Sequence, residues 1–262
     1  AVGFNSKSTG LASNAIGGDS LAAGNYSTAV GQEAHAEKEF DLAAGFSAIA
    51  SGGQSTAVGF NSESTGLASN AIGGSSVAAG NFSTAVGSEA RAEKALDLAA
   101  GFNAIASGGQ STAVGFNSKS TGLASNAIGG ASVAAGNFST AVGSEAHAAA
   151  DYAQAMGYQS KASGIASNAI GRNANATAQN AIAIGSNAQA YSRSGIAMGT
   201  NAEAGSVGSE DTLVQAMALG ANSKAKAQSK DVALGADSET STVVNTQNTQ
   251  IDGKTYTYAG TN

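Results

Sequence analysis

The sequence contains no cysteine, no proline and no tryptophan, and only 11% of its residues are charged and 5% aromatic. Without cysteine there are no disulfides, no thiolate metal sites and no thiol nucleophiles. Without proline, every residue keeps a backbone donor, which suits a structure whose strands are hydrogen-bonded on both sides. Ordinary globular domains carry about 25% charged residues, so this chain has few bulky or charged groups from which to build a conventional core and surface. The net charge is −6 and no basic cluster occurs, which excludes a nucleic-acid partner because phosphate binding needs a basic face. No apolar run approaches the ~18 residues of a spanning helix, and the opening "AVGFNSKSTG" lacks the layout of a signal peptide. No direct membrane contact is therefore expected. The pattern described below is already running at Ala1, which reads as a stretch taken from a longer chain.

What the sequence does have is glycine, 36 residues of it, and a 42% hydrophobic content too high for disorder. Aligned on the glycine of Ala-Ile-Gly or Ala-Val-Gly, the chain repeats every 14 residues from Gly3 through Gly199, and two further units at Gly220 and Gly235 follow insertions of seven residues and one residue. A larger repeat of 56 residues lies on top, with residues 1–56 and 57–112 differing at nine positions. Internal repetition of this kind means a solenoid, in which each unit rests on its neighbours.

Within each unit the residue two before the glycine is Ala in all 17 copies, and the residue one before it is Val, Ile, Met or Leu except at Ala44 and Ala100. Three and five residues after the glycine lie Ser or Ala in every unit but the last, which has Thr240, and the residue between them is unrestricted: Lys7, Leu21, His35, Ile49, Glu63. This is the two-residue period of strands. Two short strands and two tight turns account for one unit, so the fold is expected to be all-β: a single-stranded parallel β-roll of 14-residue turns, about 80 Å long at ~4.8 Å per turn. In the second strand of each unit the restricted small residues face inward. In the first strand the small residues of the opposite sheet are expected to make room for the aliphatic row, placing Val2, Ile16, Val30, Val58, Ile72, Val86, Val114, Ile128, Val142, Ile170 and Ile184 in the core. Ala15, Ala29, Ala57, Ala71, Ala85, Ala113 and Ala127 then face outward as a smooth strip suited to close approach by a second chain, predicting an obligate homo-oligomer.

The tandem unit Ser-x-Ala-[Ile/Val]-Gly-x-x-[Ser/Ala]-x-Ala, as at Ser13–Ala22, resembles the YadA-like head of trimeric autotransporter adhesins of Gram-negative bacteria over residues 1 to about 240. The resemblance implies a left-handed roll, a homotrimer assembled side by side, and a head held off the cell surface by a coiled-coil stalk. It also implies outer-membrane anchoring through a C-terminal region absent from this stretch. Implied partners are host extracellular-matrix proteins, cells or abiotic surfaces. The sequence departs from the family unit three residues before the glycine, where the family carries an apolar residue; this chain is consistently apolar there only late, at Ile182, Ile196, Met217 and Val232, and earlier, Leu42 apart, has mostly Asn14, Thr28, Thr56, Asn70 or Thr84. Those residues are expected to form polar ladders at the edge of the core. After Gly235 the period fails, and residues 241–262, with a turn at Asp252 and Gly253, read as the start of a connector toward a neck and stalk. The insertion within Ala204–Gln215 interrupts the stack and reads as a protruding loop, contacting either the adjacent subunit or a ligand.

No catalytic, cofactor or metal site is expected. His35 and His147 occupy the unrestricted outward position where the middle copy has Arg91, and a histidine interchangeable with arginine reads as a surface residue. The glycines adjoin no helix and no Gly-Lys-Ser/Thr occurs. Left-handed helical acyltransferases have about 18 residues per turn, not 14. An ice-binding solenoid would present unbroken threonine ranks, whereas Thr28, Thr56, Thr84, Thr112 and Thr140 recur only every second unit. The candidate adhesive face is the set of outward and turn residues: Leu21, Tyr26, His35, Ile49, Val77, Phe82, Arg91, Ile105, Val133, Phe138 and His147. Weak sites copied along a rod gain avidity by number. The plainer alternatives are that the aromatics pack at roll corners or between subunits, and that the rod is a spacer without a ligand of its own.

Overall fold

The structure, a computed structural model, describes residues 1–208, 214–241, 248–251 and 254–257. Among these there is no helix. Two parallel sheets of 16 strands each run the length of the chain. The first sheet is built from three-residue strands, Asn14–Ile16 through Val232–Leu234, and the second from two-residue strands, Lys7–Ser8 through Lys224–Ala225. Successive strands of one sheet are consecutive turns of the roll, and each residue pairs with its counterpart one unit on: Asn70 with Thr84, Ala71 with Ala85, Ile72 with Val86. The expected parallel β-roll is the fold observed.

Side-chain identity at each corner follows from how tightly the turns stack. The glycine after the first strand has φ near +133° at Gly17, and a Cβ there would lie 2.3 Å from the carbonyl oxygen of Gly31. Only glycine permits both the dihedral and the approach. Two residues further on, and again at the other corner, each turn carries a non-glycine residue in the left-handed region, such as Asn5 (φ 52°) and Tyr26 (φ 58°). At each corner an amide is used by the preceding turn. Asp19 donates to the carbonyl of Phe4 at 2.8 Å, Tyr26 to that of Leu11 at 2.7 Å, and Gly31 to that of Ile16 at 2.8 Å. A proline at any of these places would lose a bond, which explains why the chain has none.

The interior reverses the expectation for the first strand. Ala15, Ala29, Ala57, Ala71, Ala85, Ala113 and Ala127, expected outside, are buried at 1% exposure or less. The expected core row faces outward: Val2, Ile16, Val30, Ile72, Val86, Ile128 and Ile170 are exposed, Ile16 by 49% and Ile72 by 43%, and Val58, Val114, Val142 and Ile184 are half-buried. The cause is the bore of the roll. Strands of three and two residues joined by tight turns bring the two sheets so close that methyl against methyl already fills the gap. Ala15, Ala22, Ala29 and Ala36 bury one another completely, and a Val or Ile pointing inward would overpack. Among the described residues, the buried apolar side chains are alanines, with Tyr191 the one exception. Each buried methyl is worth only ~0.8 kcal/mol, so a single turn holds through its backbone bonds to both neighbours.

The expected polar ladders also move. Asn14, Thr28, Thr56 and Asn70 share the outward face with the aliphatic row, because they too stand one residue from the buried alanine. A side-chain ladder exists instead at the corner two residues after the glycine, where Asn173, Asn187, Asn201 and Asn222 each donate an amide to the next residue of the column, at 2.9 to 3.1 Å. The ladder ends on the Asp237 carboxylate. Beyond the roll, Asn248–Ile251 pairs antiparallel with Lys254–Thr257. The expected turn at Asp252 and Gly253 lies outside the described residues, as does the centre of the insertion, residues 209–213.

Candidate functional site

The roll spends its interior on Ala and Ser, so its chemistry lies on three outer surfaces. The first is the outer face of the first sheet. It carries two parallel columns, one position before the glycine (Ile16, Val30, Ile72, Val86) and three before it (Asn14, Thr28, Asn70, Thr84), aligned by the strand register. The first column is a nearly continuous apolar stripe running along the rod. Isolated exposed aliphatics need no explanation, but a contiguous stripe of them is a candidate interaction surface.

The second surface is the outer face of the second sheet. Lys7, Leu21, His35, Ile49, Glu63, Val77, Arg91, Ile105, Lys119, Val133, His147 and Lys161 form one column in register. Aliphatic and charged turns alternate along most of it. Leu21, His35, Ile49, Val77, Ile105, Val133 and His147 are half-buried, and Arg91 is exposed beside Glu93, to which it is ion-paired at 3.3 Å. A shallow depression of about 390 Å³ lies here, lined by Ile49, Glu63 and Val77 with Ser47, Asn61, Ser62 and Ser75. His147 titrates below the ordinary histidine range, chiefly because burial disfavours the charged ring and further because Lys161 on the next turn repels it.

The third surface is formed by the corners. Tyr26 stacks on Phe40 with ring centres 5.3 Å apart, and Phe138 stacks on Tyr152 at the same distance. Phe46 with Phe60 and Phe102 with Phe116 repeat the arrangement after the glycine. Phe82 is exposed at the corner equivalent to Tyr26, with Leu96 where Phe40 stands. Tyr26, Phe40, Phe82, Leu96, Phe138 and Tyr152 all have positive φ, a conformation in which bulky side chains are strained. Where two rings meet, at Tyr26–Phe40 and Phe138–Tyr152, stacking on the neighbouring turn offsets part of that cost. Of the sequence candidates, Leu21, His35 and Ile49 form one contiguous patch and Val77, Arg91 and Ile105 another. The two surfaces stand on different parts of each turn and do not converge on one pocket.

The family called YadA head domain repeat (2 copies) matches the chain at 8–34, 36–62, 64–90, 92–118, 120–146, 148–174, 162–188, 176–202 and 214–238. The chain belongs to the YadA head family. Its matched units tile nearly the whole roll, including the turns whose outward aliphatic row departs from the first expectation. Among solved structures it is similar to the crystal structure of the collagen-binding domain of the Yersinia adhesin YadA, at 25% identity and a TM-score of 0.41, covering 56% of this chain and 82% of that one. None of the curated proteins compared matches it.

One set of residues in this YadA-type head was not singled out by sequence reasoning. Asp41 is 1% exposed and points into the roll. Its Oδ1 accepts from the amides of Gly53 and Ser55, both at 2.9 Å, and from Ser55 Oγ at 2.7 Å. Its Oδ2 accepts from the Lys38 amide at 2.8 Å. Asp97 repeats the arrangement with Gly109, Ser111 and Lys94. Four donors satisfy a carboxylate that would otherwise be costly to bury. The signal in the sequence is the pair of copies Lys38-Glu39-Phe40-Asp41 and Lys94-Ala95-Leu96-Asp97, in which the two residues before the aspartate change and the aspartate does not. Among the described residues no cluster of His, Asp or Glu converges in a way that would hold a metal ion.

Proposed function

We propose that this chain is a non-catalytic adhesion module displayed on the surface of a Gram-negative bacterium, acting as a homotrimer of side-by-side rolls. The observation that carries the reading is the apolar stripe on the first sheet. Ile16, Val30, Ile72, Val86 and Ile128 are exposed on one roll, and membership of the YadA head family supports packing that stripe against copies of itself. This assigns the oligomer interface to the aliphatic row rather than to the alanines. The second sheet and the aromatic corners then remain on the outside, where each weak contact is repeated along the rod and multiplied by three. The partners are host matrix proteins such as collagen, fibronectin or laminin, host cells, or abiotic surfaces. Residues 241–262 lead toward a neck and stalk, with outer-membrane anchoring in a C-terminal region beyond this stretch.

Two measurements test the proposal. Light scattering is expected to give the mass of three chains of 25.1 kDa each; a single-chain mass in dilute buffer overturns the assembly. A solid-phase panel of matrix proteins, cells and polystyrene is expected to capture the trimer. A head that binds none of them is a spacer, and the adhesive reading fails.

A further inference from the structure

The outward face of the first sheet carries an irregularity that repeats. Most turns read Thr-Ala-Val or Asn-Ala-Ile, with the larger aliphatic in the column next to the glycine. At two turns the bulk changes sides: Leu42-Ala43-Ala44 and Leu98-Ala99-Ala100 place a leucine in the outer column and leave only a methyl in the other. Leu42 is exposed by 36%, Leu98 is half-buried, and Ala44 and Ala100 are half-buried. The exchange has no cause inside the roll, because Asp41 and Asp97 on these turns point inward while the exchanged residues point out.

We infer that Leu42 and Leu98 are knobs, and the gaps over Ala44 and Ala100 are holes, of an axial register key between copies of this chain. The inference rests on the trimeric reading above. Around a three-fold axis the contact is heterologous, so the outer column of one chain meets the glycine-side column of the next at the same height. With turns level, each leucine enters the hole of its neighbour, and all three contacts of a layer close together. A slip of one turn sets Leu42 against Val30 or Val58 and leaves the hole over Ala44 facing a threonine. A slip of four turns, which the 56-residue repeat would otherwise tolerate, sets Leu98 against Met156 instead of an alanine. The third copy, with Gln154 and Met156, removes the degeneracy that two identical keys would leave. Self-complementarity within a single face is what identifies the occupant as a second copy of the chain.

The experiment uses the whole chain. Ala44→Val with Ala100→Val fills the holes, and Leu42→Thr with Leu98→Thr removes the knobs. Each pair is expected to weaken trimer association at least tenfold, as overpacked or emptied contacts do. The fourfold variant turns both layers into the ordinary Thr-Ala-Val and is expected to return within about threefold of the parent. Additive losses in the fourfold variant, or no loss in either pair, overturn the key while leaving a trimeric mass intact; a monomeric parent overturns both the key and the assembly. Because the chain is free of cysteine, Asn70→Cys with Ile72→Cys gives a second readout. A short bis-maleimide is expected to join three chains through this level layer, and absence of three-chain product in a trimeric sample overturns the level pairing.

Discussion

Replacing Asp41 by asparagine tests whether a buried carboxylate pins the third turn of the roll. The side chain keeps its shape, and its amide oxygen can hold the place of Oδ1 with its three donors. The new amide nitrogen then faces the Lys38 N–H, donor against donor, where Oδ2 had accepted at 2.8 Å. One buried amide loses its partner, at about 1–3 kcal/mol, and the three remaining bonds lose the assistance of charge, which roughly halves each. Relief from burying a charge offsets part of this, leaving a net loss of about 2–3 kcal/mol, or a roughly 30- to 150-fold change in the local opening equilibrium. Because stability in a solenoid is local, hydrogen exchange is the assay. In Asp41→Asn the amides of Lys38, Gly53 and Ser55 are expected to exchange faster by that factor, while Lys94, Gly109 and Ser111 around Asp97 keep their parental rates. Phe40 against Leu96 separates the two peptides by mass. Unchanged exchange at both sites, or equal acceleration at both, refutes the reasoning. The chain contains its own comparison: Ala153 stands where the third copy would have this aspartate, and there the hydroxyl of Ser167, the counterpart of Ser55, is buried without a partner.

Four further outcomes are expected. Ala71→Val, which adds bulk inside the bore, destabilises its turn by about 1–3 kcal/mol, whereas Ile72→Thr leaves amide protection in the roll unchanged and loosens association in sedimentation; the opposite pattern would restore the inward aliphatic row. Gly73→Ala forces a Cβ to 2.4 Å from the Gly87 carbonyl oxygen and is expected to abolish protection of the adjoining turns in hydrogen exchange. Phe82→Asn places a residue suited to the left-handed region where a ring now sits at φ 59°, so the thermal midpoint is expected to stay or rise, while capture by a bound surface falls if the corners are adhesive. His147 has a lowered pKa, so its neutral form is favoured by the fold: stability is full above the ordinary histidine range and declines as pH falls through the lower folded value. His147→Gln is expected to flatten that slope in melting curves taken across mildly acidic pH.

The period, the parallel pairing and the register were legible because identical residues recur at one spacing and can stack in only one way. The orientation of the first strand was not. A period of two states that Ala71 and Ile72 lie on opposite faces without saying which face is inside, and an argument from volume chose the wrong one. The deciding signal was present in the repeats: the position before the aliphatic is alanine in every unit, while the aliphatic itself varies among Val, Ile, Met, Leu and Ala. A position that tolerates no change is the one fitted into a closed space, as the Ser and Ala columns of the second strand already illustrated. The role of Asp41 was not legible, because composition does not reveal that a carboxylate has three backbone amides converging on it. The stacked ring pairs were legible only as turn aromatics, since their contacts depend on both rings sharing a corner across adjacent turns.

The stacking direction of the turns has a mechanical consequence. Both sheets pair each turn with the next, so their hydrogen bonds point along the rod. A pull on the two ends therefore loads successive layers in series rather than sliding them past one another. The layer that yields first frees one circuit of 14 residues, about 50 Å of extended chain at 3.3–3.6 Å per residue, in exchange for a single ~4.8 Å step. A rod of this construction lengthens under load in discrete increments, each about tenfold the step it replaces.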